Sequence, residues 1–344
     1  MNLKQLSENL GLSQTTVSRA LNGYPEVSES TRRRVEIAAA KGNYRPDIRA
    51  TSLATGKAKA IGHVVPVANR NDVFNPIFGE FIAAASQTYS SCGYELMLTI
   101  AKSEDEESIY KGLAAARSVD GVVIHSPLRN DPRLSVLRSV GLPFVVHGRV
   151  LEDEDYSWVD MDNENAFRMA TQLLIDLGHQ KIALLNGLEI MSFAWLRRVG
   201  YTQALTANNI SVDQALMASN DLTEPYGYQV ASKMLASGNP PSAFLVSSYV
   251  VALGVRRAIS HANLTIGEDV SVIIHDDELS YFDNDGVMPQ FTSTRSSVRD
   301  AGVRVATLLL EQIDNPDRTA VSHLMDTQLV IGSSTGPRRS RGSA

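Results

Sequence analysis

The sequence has one cysteine in 344 residues, so no internal disulfide can form. Cys92 fits a reducing compartment, where the expected role is a small buried hydrophobe rather than a reactive thiol. No apolar run approaches the roughly 20 residues that a membrane-spanning helix needs. The opening MNLKQLSE lacks the apolar stretch of a signal peptide. A cytoplasmic protein with no membrane association is expected. Enzymatic machinery is missing as well: there is no Walker loop, no well-formed G-x-G-x-x-G, and no nucleophile elbow among the SxS and GxS fragments. The run HDDE at 275–278 is the nearest approach to a metal cluster. Adjacent residues at a strand end point to alternate sides and rarely chelate one ion together. The sequence therefore implies no catalytic constellation, no metal and no cofactor.

What it does contain is a soluble globular composition, 43% hydrophobic and 20% charged, long enough for roughly two or three domains. The net charge of -6 is unevenly spread. Residues 1–60 hold ten Lys/Arg against five Asp/Glu, and the remainder holds 22 against 33. A basic head on an acidic body is the asymmetry expected when only the head meets phosphate.

Within that head the stretch LSQTTVSRALN, residues 12–22, organises the rest. Ser13 suits a helix N-cap, because its hydroxyl can accept from an orphan backbone N–H. Wound at about 100° per residue, Gln14, Thr15, Ser18, Arg19 and Asn22 share one arc, and Val17, Ala20 and Leu21 take the other. Upstream, Leu3, Leu6 and Leu10 recur at helical spacing, and Gly11 supplies a turn. Two short helices, the second with an apolar back and a hydrogen-bonding front, read as helix-turn-helix. An amphipathic surface helix would show the same segregation without DNA. A third helix is expected over 28–41. Its Arg32, Arg33 and Arg34 read as a solvated face or, at most, phosphate contacts.

LSQTTVSRALNG followed by VSESTRRRVEIAAAKGNYRPD resembles the DNA-binding head of the LacI family of bacterial transcriptional regulators, without a gap over residues 3–53. In that setting the N-terminal half of the second helix enters the major groove. Gln14, Thr15 and Arg19 are then expected to reach base edges, with Thr16, Ser18 and Asn22 holding phosphates. The resemblance also makes IRATSLATGK, residues 48–57, a hinge that folds into a short helix on DNA. Ala50 and Leu53 match its hinge positions, Leu53 being the leucine that wedges into the minor groove. One small head buries little surface, so a homodimer on a near-palindromic operator is expected.

From Ile61 the pattern alternates short apolar strands, such as GVVIHS and PFVVHG, with helices of ten or more residues. That implies βαβ units around parallel sheets. The fold class expected is α/β: a three-helix head, a hinge helix, and two doubly wound parallel-sheet subdomains of the periplasmic-binding-protein-like kind that the resemblance implies. The expected boundaries are 1–46 for the head and 47–60 for the hinge. The first lobe takes 61–160 plus 290–325, the second 161–289 plus 326–335, and 336–344 form a disordered tail.

Ligands of such sheets bind at the carboxyl ends of strands. His125 in VVIHSP and His147 in FVVHGR sit there, either as satisfied structural histidines or as cleft residues; the resemblance favours the cleft. Arg197 in AWLRRVGY matches the arginine with which family members grip ligand, while Arg198 better suits a helix surface. Phe74 in DVFNPIF could stack on a ring or pack in the lobe. Tyr249 stands, after Ser248, where the family commonly has an aspartate, and could cover a sugar's apolar face. Asp276 completes a clamp with Arg197 for vicinal hydroxyls. Because the two charges offset, the expected effector is a neutral sugar, a glucoside or disaccharide. A purine stacked on Phe74 is the alternative. A sugar-binding protein without a regulatory role would explain the body but not the head.

Overall fold

The computed structural model describes residues 1–44, 56–66, 76–102, 105–153, 155–275, 279, 284 and 288–339. Ala50 and Leu53 of the hinge, and Phe74 and Asp276 of the expected cleft, lie outside the described residues.

The head is built from its caps. Asn2 closes a capping box on α1 (Leu3–Leu10), with Gln5 N donating to Asn2 Oδ1 at 2.9 Å and Asn2 N to Gln5 Oε1 at 3.0 Å. Gly11 ends that helix at φ +63°, a left-handed conformation that glycine takes without a Cβ penalty. Ser13 caps α2 (Gln14–Leu21), its Oγ accepting from Thr16 N at 3.0 Å. Ser28 caps α3 (Glu29–Lys41) in the same way. Leu6, Val17, Ala20, Val27, Val35 and Ala39 meet in one small core. Arg32 is not simply solvated: its Nη2 donates to the Tyr24 carbonyl at 3.0 Å and braces the loop after α2.

The body holds two six-stranded sheets. The first lobe runs through β1 (Ala60–Pro66), α4 (Pro76–Ser91), β2 (Glu95–Ala101), α5 (Glu106–Ala116), β3 (Gly121–His125), α6 (Pro132–Val140), β4 (Phe144–His147) and β5 (Trp158–Met161). The chain then crosses into α7 (Asn163–Asp176), β6 (Ile182–Asn186), α8 (Ser192–Ala207), β7 (Met217–Ser219) and α9 (Glu224–Leu235). The second lobe continues with β8 (Ala243–Val246), α10 (Tyr249–His261), β9 (Ser271–His275) and β10 (Thr292–Arg295). Afterwards α11 (Val298–Asp314) and β11 (Ser322–Met325) return to the first lobe, and β12 (Gln328–Val330) ends in the second. Strand order is β11-β5-β4-β3-β1-β2 in one sheet and β12-β10-β9-β8-β6-β7 in the other, all parallel except β12 against β10. The parallel pairing places the strand-end residues His125 and His147 on one edge of the first sheet, and Asn186, Val246 and His275 on one edge of the second.

Three expectations change. The second crossing falls after Arg295 rather than at 290, because β10 pairs with β9. The tail does not begin at 336: Gly336 N donates to Ser271 Oγ at 3.1 Å, and Arg338 N donates to Leu177 O at 2.8 Å. Backbone hydrogen bonds thus hold the chain to the second lobe as far as Arg338. Cys92 is exposed, just past the end of α4, rather than buried.

Close helix packing sets one further constraint. A Cβ at Gly200 in α8 would collide with the backbone carbonyl of Glu164 in α7. Gly200→Ala is expected to lower stability by about 1–3 kcal/mol through forced separation of the two helices. Urea unfolding of the full chain checks this, and an unchanged midpoint would show that the helices yield freely.

Candidate functional site

The head presents a shallow concavity lined by Leu3, Gln14, Thr15, Ser18, Arg19, Asn22 and Tyr24. The five arc residues read from the sequence therefore meet on one surface, backed by buried Val17 and Ala20. Gln14, Thr15 and Arg19 are exposed, whereas Thr16, Ser18 and Asn22 are half-buried. Two of the latter carry local duties as well. Thr16 Oγ1 lies 2.8 Å from Ser13 Oγ at the cap, and Asn22 Nδ2 donates to Ser18 O at 2.9 Å as the helix ends. Thr16 does not line the concavity. Leu3 and Tyr24 do, although the sequence reading assigned them no such part; Tyr24 is signalled only by its place in the NGYPE turn.

Between the lobes, the first contributes a histidine cluster. His125 and His147 are register partners at the ends of β3 and β4. His63, in the middle of β1, places Nδ1 2.9 Å from His125 Nε2 and Nε2 3.1 Å from the Tyr89 hydroxyl. Phe81 stacks on His147 with centroids 4.2 Å apart, and Phe78 meets His125 edge-on at 5.1 Å. Burial pushes His63 down to about 3, with the neighbouring His147 adding to the effect. Burial, and then His63, His147 and Arg133, likewise hold His125 well below its usual value. Both rings are therefore neutral. Whichever way the Tyr89 proton points, the shared hydrogen bonds leave His125 Nδ1 as a buried atom with no partner among the described residues. His125 thus combines both sequence readings, structural through Nε2 and open through Nδ1.

Arg197 is buried in α8 at 4% exposure, where its guanidinium bridges several groups. Nε donates to Asn163 Oδ1 at 2.8 Å and Nη1 to the Ser247 carbonyl at 2.9 Å, while the Phe193 and Phe167 rings lie 4.8 and 5.2 Å away. Arg198 behaves as a surface residue, paired with Glu189 at 2.6 Å. Asn163 in turn donates to Asp160 Oδ1 at 3.2 Å. Burial lifts the Asp160 carboxyl to about 7, against the pull of Arg149 and Arg197. Arg149 Nε stands 3.1 Å from Asp160 Oδ2. Neither Arg149 nor Asp160 was singled out from the sequence, where both flank a run of acidic residues (RVLEDEDYSWVDMD).

One expected cleft residue is placed differently. Tyr249 is 4% exposed and meets Phe291 edge-on at 5.7 Å within the second lobe's core, so its ring is committed to packing rather than open to a ligand face. The cause is the cap: Ser248 Oγ accepts from Val251 N and turns the first residue of α10 inward. His275, the last residue of β9, pairs with Thr294 Oγ1 at 2.8 Å, and no metal-ligating cluster occurs among the described residues.

The lobes also touch directly. Ser192 N donates to Pro127 O at 2.9 Å and Arg129 N to Ile190 O at 3.4 Å, while the Arg129 guanidinium lies 4.4 Å over the Trp195 ring.

A helix-turn-helix face joined to a two-lobed body with polar strand ends defines a ligand-responsive DNA-binding protein. The bacterial regulatory proteins of the lacI family match residues 2–47, and the periplasmic binding protein-like domain matches residues 171–335. The HTH-type transcriptional regulator AglR of Rhizobium meliloti (strain 1021) is 44% identical over 342 residues, covering 99% of this chain and 96% of that protein. RafR of Escherichia coli is 34% identical over 279 residues, 80% of this chain and 82% of that one. Among solved structures, the lac repressor dimer bound to operator and the anti-inducer ONPF superposes with a TM-score of 0.81 at 27% identity, over 96% of this chain and 98% of that one. The CelR–cellobiose complex gives 0.73 at 28% identity, over 96% and 99%. The chain belongs to the lacI family of bacterial regulatory proteins and is a transcriptional regulator, not an enzyme.

Proposed function

We propose that the chain is a repressor that acts as a homodimer on a near-palindromic operator, and that a neutral sugar bound between the lobes controls its hold on DNA. The observation that carries the sugar reading is a group of buried polar atoms without hydrogen-bond partners among the described residues: His125 Nδ1, Arg149 Nε, Asp160 Oδ2, Ser192 Oγ and Ser296 Oγ. His125 ends β3, Arg149 and Ser296 lie just beyond β4 and β10, Asp160 lies within β5, and Ser192 opens α8. Buried polar atoms in folded proteins are nearly always satisfied. This set mixes donors, acceptors and hydroxyls, which a polyhydroxylated ligand can match. The stacked Phe81 and His147 rings and the edge-on Phe78 give the same region an aromatic wall. Arg149 already faces Asp160, so a phosphorylated ligand would compete with that carboxylate for it. The cellobiose in the CelR complex supports a disaccharide or glucoside.

Gln14, Thr15 and Arg19 read bases in this proposal, with Thr16, Ser18 and Asn22 on phosphates. Ala50 and Leu53 form the hinge over the operator centre. Leu98 and Ile100, 41% and 53% exposed on the outer strand β2, give the first lobe an apolar edge that a second copy would cover. Cytoplasmic residence follows from the same reading; no described helix is long and apolar enough to cross a membrane.

Arg19→Ala is expected to weaken operator binding by about 1–3 kcal/mol and relax preference at one base pair. Gel shifts against operator variants check this, and an equal loss on every sequence would make Arg19 a phosphate contact instead. The effector is tested by thermal melting with cellobiose, maltose, sucrose and melibiose, beside glucose 6-phosphate and hypoxanthine. One neutral sugar should raise the melting temperature by mass action and change operator occupancy. If only the phosphate or the purine does so, the sugar reading fails.

A further inference from the structure

The turn after α2 brings to the helix-turn-helix surface a side chain that α2 itself does not supply. Gly23 N donates to Ala20 O at 3.2 Å and Tyr24 N to Arg19 O at 3.1 Å, with Gly23 at φ +73°. That pair of bonds around a left-handed glycine reverses the chain, so Tyr24 comes back alongside Arg19. Pro25 then opens a turn over residues 24–27, closed by Val27 N donating to Tyr24 O at 3.2 Å. Arg32 Nη2 donates to the Gly23 and Tyr24 carbonyls at 3.3 and 3.0 Å, tying the turn to α3. The Tyr24 amide and both lone pairs of its carbonyl are thereby used. What the residue has left to present is its ring. Tyr24 is half-buried, and it lines the concavity together with Gln14, Thr15 and Arg19. Among the described residues it belongs neither to the head's buried core nor to the apolar side chains packed against that core, as Leu3 does. Leu3 and Tyr24 are the apolar members of a rim that is otherwise polar.

Resting on the base-reading assignment of α2 above, we infer that Tyr24 is a further specificity-determining residue, its ring covering the C5-methyl group of a thymine in the major groove. The base edges in that groove offer donors, acceptors and one apolar feature, the thymine methyl. Gln14, Thr15 and Arg19 suit the polar edges, and an aromatic ring held beside them suits the apolar one. The concavity is shallow and open to solvent, so a methyl group reaches its rim without displacing protein. The backbone that carries the ring is fixed by the turn and by Arg32 before DNA arrives, which keeps the ordering cost of the contact low.

The test uses the full-length protein and a duplex that it selects from a random-sequence pool. In copies of that duplex single thymines are replaced by deoxyuracil, which removes only the methyl. One such replacement, made in both half-sites, should weaken wild type about tenfold in gel shifts. Tyr24→Phe keeps the ring and should show the same penalty at the same position. Tyr24→Ala should bind the parent duplex about as weakly as wild type binds the deoxyuracil copy, and should no longer distinguish the two. Tyr24→Ser serves if Tyr24→Ala does not fold. Selected half-sites without thymine, no deoxyuracil penalty, or a penalty that persists in the folded alanine or serine variant overturn the inference. A loss in Tyr24→Phe with deoxyuracil neutral also overturns it, being the pattern of a hydroxyl on a phosphate. Arg19→Ala on the same duplexes keeps the two readings apart. If the Tyr24 outcomes fail while Arg19→Ala still relaxes preference at one base pair, only this inference falls. If Arg19→Ala also weakens every sequence equally, the base-reading assignment falls with it.

Discussion

Arg197→Ala is expected to weaken effector binding by about 2 kcal/mol or more, roughly 30-fold or greater, since a buried charged group loses its place at the ligand. The side chain is held by Asn163 and the Ser247 carbonyl between two aromatic faces, so its position is fixed before any ligand arrives. Preorganisation of that kind lowers the ordering cost of binding. Arg197→Lys should fall between wild type and alanine, because it keeps the charge and loses the planar fork. Some loss of melting temperature is expected with alanine, which leaves Asn163 Oδ1 without its donor. Calorimetry at a temperature where each variant is folded separates the two effects. The resemblance extends the same expectation to Asp276→Ala. Should both alanine variants bind as wild type does, the ligand sits elsewhere.

Acid should unfold the protein early. His63 and His125, and to a lesser degree His179, are buried with their proton affinities lowered. In the unfolded chain each titrates near 6.5, so below that pH the unfolded state binds protons that the folded state refuses. Their contribution is fully present above pH 6.5 and is lost as pH falls toward the folded values. For His63, moved from 6.5 to about 3, the full loss is about 4–5 kcal/mol. Asp160 runs the other way: raised to about 7, it favours the folded state as pH falls from 7 toward its usual value of 3.8. The histidines outnumber it. The expected net loss between pH 7 and 4.5 is about 2–4 kcal/mol. Urea midpoints across that range measure it, and His63→Gln should flatten the slope by about one proton. A flat profile in wild type would mean that the histidine cluster is hydrated rather than buried.

The head was legible because its signals are local. Ser13 and Ser28 cap, Gly11 turns, and the apolar stripe of Val17 and Ala20 fixes which arc faces out. Central strands were legible because each carries an unbroken apolar run, with polar residues only at the ends, and every residue of β3, β6, β8 and β9 is buried. Strand β10 was not, for Thr292, Ser293 and Thr294 are polar yet fully buried, satisfied by partners such as Ser334 Oγ, Gly332 N and His275 Nδ1. No periodicity of apolar residues announces such a strand. α11 went unassigned although Ala301, Val305 and Leu309 recur every fourth residue. In the cleft, single residues at strand ends could be read, but their partners could not. His63 lies inside a strand, Asp160 inside an acidic loop-like stretch, and Ser192 at a helix start, so only the fold brings them beside His125, Arg149 and Arg197 or their strand ends.

The contact between residues 127–129 and 190–192 has a consequence for how the cleft breathes. Its two amides, Arg129 N and Ser192 N, each donate to a carbonyl on the opposite lobe. They can exchange with deuterated solvent only when the lobes part, whereas amides inside either sheet need local unfolding. Their exchange rates therefore clock cleft opening itself. Ligand that favours the closed arrangement would slow these two amides and leave the sheets' own rates nearly unchanged, which reads population shift directly rather than through DNA affinity.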